Sequence, residues 1–164
     1  MADTQNNLRD AFAGESQANR RYLAYANKAM EEEYPAVAKR FRAAAESETI
    51  HAINHLRTMG ELKSTRENLQ AAAGGENYEH TSMYPDFMKE AEEADDKEAR
   101  CVFNWANEAE KFHEKIFQEA LADLDGVQEK QYYVCHHCGM TYEDEVPDKC
   151  VVCGRPADQI FEIK

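Results

Sequence analysis

"AESETIH", residues 45–51, and "NEAEKFH", residues 107–113, each place a glutamate three residues ahead of a histidine. On a helix that step leaves the two side chains about 60° apart around the axis, so Glu48 and His51 can grip one ion, as can Glu110 and His113. Both pairs fall on stripes that otherwise read as core: Phe41, Ala45, His55 and Met59 around the first, Phe103, Ala106, Phe117 and Leu121 around the second. A single Glu-x-x-His on an acidic helix is a solvated face. Two in register are not so easily dismissed. They repeat at an offset of 62 (110 − 48), while "AGES" at 13–16 and "GGEN" at 74–77 repeat at 61 and align Glu15 with Glu76. Each half of the chain therefore supplies one lone glutamate and one Glu-x-x-His.

The surrounding pattern is helical. Residues 4–32 carry one period, "YP" at 34–35 ends it, and a second helix runs to about Leu62. "STRENLQAAAGG" opens with a capping box of Ser64 and Glu67, and its short helix is expected to stop at Gly74-Gly75. A third long helix is predicted from Glu76, kinked at Pro85, and a fourth over 97–124 after the break at "ADDK". Four inward carboxylates in such a bundle repel one another and lose hydration, a cost of several kcal/mol per unpaired charge by rough estimate. Two divalent cations cancel them, as in the carboxylate-bridged sites of ferritin-like four-helix bundles. Oxygen ligands with some imidazole suit iron or manganese, with zinc as a competitor.

Composition narrows the function classes. The chain of 164 residues has 43% hydrophobic residues, enough for a packed core, and a net charge of −13 that disfavours a nucleic-acid surface. No stretch reads as a signal peptide or a membrane span, so a soluble cytoplasmic protein is expected. Four of its five cysteines lie in "CHHC" and "CVVC", giving Cys-x2-Cys-x11-Cys-x2-Cys through Cys135, Cys138, Cys150 and Cys153. Two such knuckles form a four-sulfur metal site; zinc makes it a structural ribbon and iron a one-electron carrier. From Gln131 onward the segment is too small to fold on a hydrophobic core alone.

Remaining candidates read more plainly. His55 is expected to be partly buried or to support the site, His80 to be exposed, and Cys101 and Trp105 to pack. Tyr22, two turns beyond Glu15, and Tyr84, five residues past Glu79, read as core aromatics whose hydroxyls can meet a carboxylate or supply protons beside a redox metal.

Together, "GES" at 14–16, "ESETIH", "GENYEHTSMYP" at 75–85, "EAEKFH" and the two cysteine knuckles resemble the rubrerythrin family over almost the whole chain. The resemblance implies a mainly α fold: a ferritin-like di-iron bundle over 1–128 and a rubredoxin-like domain over 129–164. It implies two irons held by Glu15, Glu48, Glu76, Glu79, Glu110 and His113, with Glu48 and Glu110 bridging and His51 binding in one oxidation state only. One iron would then move between Glu79 when oxidised and His51 when reduced. Tyr22 and Tyr84 would hydrogen-bond to site carboxylates. A third iron, or zinc, would sit on the four cysteines. The implied activity is reduction of hydrogen peroxide to water by a cytoplasmic homodimer. Electrons would come from an external reductase or rubredoxin, since no Gly-rich nucleotide turn is present. The tail departs from rubredoxin in having "CHHC" without the usual proline and no tryptophan, which leaves iron and zinc open there. Ferroxidase chemistry on the same di-iron site, or a zinc ribbon that binds a partner without catalysis, are the other readings of these motifs.

Overall fold

The computed structural model describes residues 3–164. The chain divides into two compact units, one ending at Lys63 and the other running from Ser64 to Lys164. The first unit is an antiparallel helix pair, α1 (Thr4–Glu31) and α2 (Pro35–Met59), joined by a three-residue turn. Asp3 caps α1 by accepting from the amides of Gln5 and Asn6, and Pro35 opens α2 where no amide donor is needed. The seam between them is narrow, filled by Ala26, Ala29 and Ala38 with Phe41 packed alongside. Small residues let the two backbones approach. Asn19 then spans the gap, its amide donating to the Ala45 carbonyl and to Thr49 Oγ1, both at 2.8 Å.

The second unit begins with the capping box expected at Ser64, whose side chain and that of Glu67 satisfy each other's backbone amides. From there the structure departs from the sequence pattern. Gly74-Gly75 do not stop the helix: α3 (Thr65–Tyr78) continues through them into a π-helical turn over Glu79–Met83 and on into α4 (Tyr84–Glu93). Neither glycine adopts positive φ, so neither acts as a cap. The irregularity sits at the π-turn, where the Tyr84 amide reaches back to the Glu79 carbonyl five residues earlier, and Pro85 follows it in the first turn of α4. The helix α5 (Lys97–Ala122), capped by Asp96, runs antiparallel to this long segment. Rings of Tyr84, Phe87 and Phe103 close one end of the pairing.

The tail is a three-stranded antiparallel sheet in the order β2 (Thr141–Glu143), β1 (Tyr132–Cys135), β3 (Ile160–Glu162). Its hydrophobic core is Cys135, Tyr142, Cys150 and Ile160. Two of the four are knuckle cysteines, so the core of this segment is largely the sulfur cage itself. A helix-interior glycine costs about 1 kcal/mol relative to alanine, and a Cβ at Gly74 meets no atom within 4 Å. Gly74→Ala is therefore expected to raise the thermal midpoint of the metal-loaded protein. A lowered midpoint would show that this helix face approaches another surface too closely for a methyl group.

Candidate metal centres

The two halves of the repeat build the same local geometry. In the first unit His51 Nδ1 lies 3.0 Å from Glu48 Oε2 and 4.0 Å from Glu15 Oε1. In the second, His113 Nδ1 lies 2.6 Å from Glu110 Oε2 and 3.6 Å from Glu76 Oε2. Each unit thus gathers a lone glutamate and a Glu-x-x-His into one cluster with ligand atoms close enough to share a cation. Nδ1 faces the carboxylates both times. The opposite nitrogen is engaged elsewhere, His51 Nε2 near Ser47 Oγ at 3.5 Å and His113 Nε2 on Thr141 Oγ1 at 2.9 Å. A histidine fixed through one nitrogen presents the other to a metal.

Electrostatics in the second cluster call for positive charge. Glu76 Oε2 is buried without a hydrogen-bond partner. Burial, and then the neighbouring Glu110 carboxyl, push Glu76 up to about 7, while Glu79 is also raised by burial. Glu110 is held below its ordinary range: burial opposes ionisation, but hydrogen bonds with His113 and Glu76 outweigh it. His113 is raised in turn by its bond to Glu110. The first cluster shows the same polarity, Glu15 raised and Glu48 lowered by the hydrogen bond between them. Two carboxyls share one proton where a cation would free both. The donor set of carboxylates with one imidazole fits iron.

In the tail, the four sulfurs lie within 4.8 Å of one another. Cys135 Sγ is 3.7 Å from Cys153 Sγ, and Cys138 Sγ is 3.5 Å from Cys150 Sγ. A tetrahedral site with metal–sulfur bonds of about 2.3 Å has edges of about 3.8 Å, so the cage fits a single tetrahedral ion. Gly139 and Gly154, at φ 82° and 72°, turn the chain after each knuckle, and their amides close on the Cys135 and Cys150 carbonyls.

Family models match both parts of this architecture, "Rubrerythrin" over residues 6–121 and "Rubrerythrin, rubredoxin-like domain" over residues 133–161. The chain belongs to the rubrerythrin family. It is 37% identical to rubrerythrin-2 of Clostridium acetobutylicum, over 96% of this chain and 95% of that one. Nigerythrin of Nitratidesulfovibrio vulgaris is 33% identical over 96% of this chain and 85% of the relative. A solved structure of nigerythrin in its fully reduced, all-ferrous state aligns with a TM-score of 0.58 at 32% identity, covering 99% of this chain and 88% of that one. The fold class is thus ferritin-like with a rubredoxin-like tail, and the cofactors are a di-iron centre on the Glu/His clusters and a metal on the four cysteines.

Several side chains lie elsewhere than the sequence pattern placed them. His80 is not exposed: it stands on the π-turn, largely buried and paired with Glu114, which also accepts from Asn77 at 3.0 Å. Cys101 does not pack but is exposed. Among the described residues, Tyr22 and Tyr84 make no hydrogen bond to a site carboxylate; Tyr22 packs on Tyr25 and Phe41, and Tyr84 on Phe87 and Phe103. Burial, followed by the charges of Glu110, Glu79 and Glu76, raises the Tyr84 hydroxyl. Two contacts had no sequence signal at all: the Thr141–His113 bond, and the ring of His137 from "CHHC" packed at a tilt against Trp105, with centroids 4.7 Å apart.

Removing one carboxylate separates ligation from general acidity. Glu110→Ala is expected to lose most of the paired iron by metal analysis. Glu108→Ala should retain it, because Glu108 pairs instead with Lys111. Equal loss from both would reverse the assignment of the inward face.

The metal-free protein gives a pH signature. Glu76 and His113 both have raised folded-state values, so the native state holds protons that the unfolded chain has released. Their contribution to stability is present at low pH and is lost as pH rises through those values. Chemical unfolding of the apoprotein should therefore show stability falling between about pH 5 and 8, and Glu76→Gln should flatten that slope. A stability rising across this window would contradict the charge balance described.

Proposed function

We propose that the protein is a non-haem di-iron peroxidase that reduces hydrogen peroxide to water with electrons relayed through the four-cysteine iron. The observation that supports it most directly is the hydrogen bond from His113 Nε2 to Thr141 Oγ1. It ties an imidazole of one metal cluster to a residue three positions beyond Cys138 of the other. The tilted ring contact between His137 and Trp105 holds the same tail against α5. A structural ribbon without redox work has no need of a contact at the di-iron ligand.

In this reading residues 1–128 do the chemistry and 129–164 deliver electrons one at a time. When bound, the iron pair supplies two electrons and Lewis acidity for the step H2O2 + 2 e⁻ + 2 H⁺ → 2 H2O. The protein's part is to hold that pair. Glu15, Glu48, Glu76 and Glu110, with His113 and His51, are the ligands we assign, and Glu79 adds a second carboxylate from the π-turn beside Glu76. Thr141 Oγ1 can accept a proton held on His113 Nε2, which leaves Nδ1 to bind metal in place of its hydrogen bond to Glu110. Burial of Glu76, Glu79 and Tyr84 limits water at the site and strengthens every charge interaction there. Tyr84, which feels the charges of Glu110, Glu79 and Glu76, and Tyr22 are the proton sources we assign. The electron donor is an external reductase or rubredoxin, and a cytoplasmic homodimer is the form we assign. Among the described residues no helix is long and apolar enough to cross a membrane.

Cys135→Ser in the full, iron-reconstituted chain tests the relay. Steady-state peroxide consumption with an external reductase should fall to background. Oxidation of the chemically reduced bundle by one equivalent of peroxide should persist. Unchanged turnover would remove the tail from the electron path.

A further inference from the structure

Within the tail one sulfur is treated differently from the other three. Tyr142 Oη lies 3.1 Å from Cys150 Sγ, and the amide of Val151 donates to the same Oη at 3.1 Å. A phenol has one proton. With its oxygen already accepting from Val151, that proton points at the sulfur. Tyr142 is buried, which limits competition from water for that proton. Tyr133, its cross-strand neighbour, spends its hydroxyl on Gln131 Oε1 at 2.9 Å and leaves the sulfurs alone.

Cys150 also receives the amides of Cys153 and Val152. Among the described residues it is the knuckle sulfur that a side-chain hydroxyl reaches.

We propose that Tyr142 sets the reduction potential of the four-cysteine iron by donating its hydroxyl proton to Cys150 Sγ. The step it acts on is a one-electron change, ferric tetrathiolate plus an electron giving ferrous tetrathiolate, with the proton remaining on the phenol. The ferrous cage carries one more negative charge than the ferric cage and places more of it on sulfur. A donor aimed at sulfur therefore stabilises the reduced form more, and raises the potential. The inference rests on the electron-carrier reading of the tail. Its test reads the iron potential without peroxide, so either can fail while the other stands.

The experiment is a redox titration of the full chain, reconstituted anaerobically with iron and followed by the visible absorption of the ferric tetrathiolate. Tyr142→Phe deletes the donor and should lower the reduced-to-oxidised equilibrium constant by up to about tenfold, which for one electron is about 59 mV. Tyr133→Phe should leave it unchanged. Replacing Tyr142 alone by 3-fluorotyrosine keeps the shape but makes a stronger donor, and should move the midpoint upward. This second variant also serves if Tyr142→Phe fails to take up iron, since it preserves the acceptor for the Val151 amide. An unchanged midpoint in either Tyr142 variant, or shifts of the same sign in both, would overturn the proposal.

Discussion

Glu76 and Glu110 converge on one imidazole in a half-buried setting that opposes ionisation of Glu76 and pushes it up to about 7. The second cluster is arranged around that conflict. A proton can resolve it, at the cost of leaving Glu76 Oε2 buried without a partner. A cation resolves it better, because it accepts both carboxylates and, with its proton displaced, the Nδ1 of His113 at once. The same argument applies to Glu15, Glu48 and His51, where a shared proton again stands in for an ion. The seam of the first unit is made of alanines rather than large side chains.

The repeat makes the two clusters alike, and the π-turn makes them differ. Inserting one residue into a helix rotates everything after it by about 100°. The turn begins at Glu79 itself, adds that carboxylate beside Glu76, and carries His80 onto Glu114 in place of solvent. The first unit has no counterpart among its described residues; α2 runs unbroken through Glu48 and His51. The two clusters therefore differ in their local surroundings despite the repeat.

Much of this was legible in the chain. Glu-x-x-His and Cys-x-x-Cys are local spacings, and helix and knuckle geometry convert them directly into shared direction. The capping box at Ser64 and the ends of α1 and α2 were readable for the same reason. Gly74-Gly75 misled because a glycine pair can as well lie inside a packed helix as end it, and the sequence does not say whether φ turns positive. The π-turn has no composition of its own. His80 looked polar and exposed beside Thr81 and Ser82, while its partner Glu114 lies 34 residues away. Long-range pairs such as Thr141–His113 and His137–Trp105 leave no period in the chain, so no local pattern could place them.

The strand β2 shows how the second metal site is joined to the first. Successive residues of a strand point to opposite faces. Thr141 turns one way and meets His113 of the di-iron cluster; Tyr142 turns the other way and meets Cys150 of the sulfur cage. Both residues are buried, and both are locked to β1, opposite Val134 and Tyr133. Cys135 follows Val134 directly and ends β1 as a ligand, so the sheet register and the metal cage fix each other. A slip of one residue in that register would exchange the two faces, turning the hydroxyl away from His113 and the phenol away from Cys150. Metal in the cage therefore does more than complete a small core. By holding β2 in register it holds the support of a ligand belonging to the other metal centre.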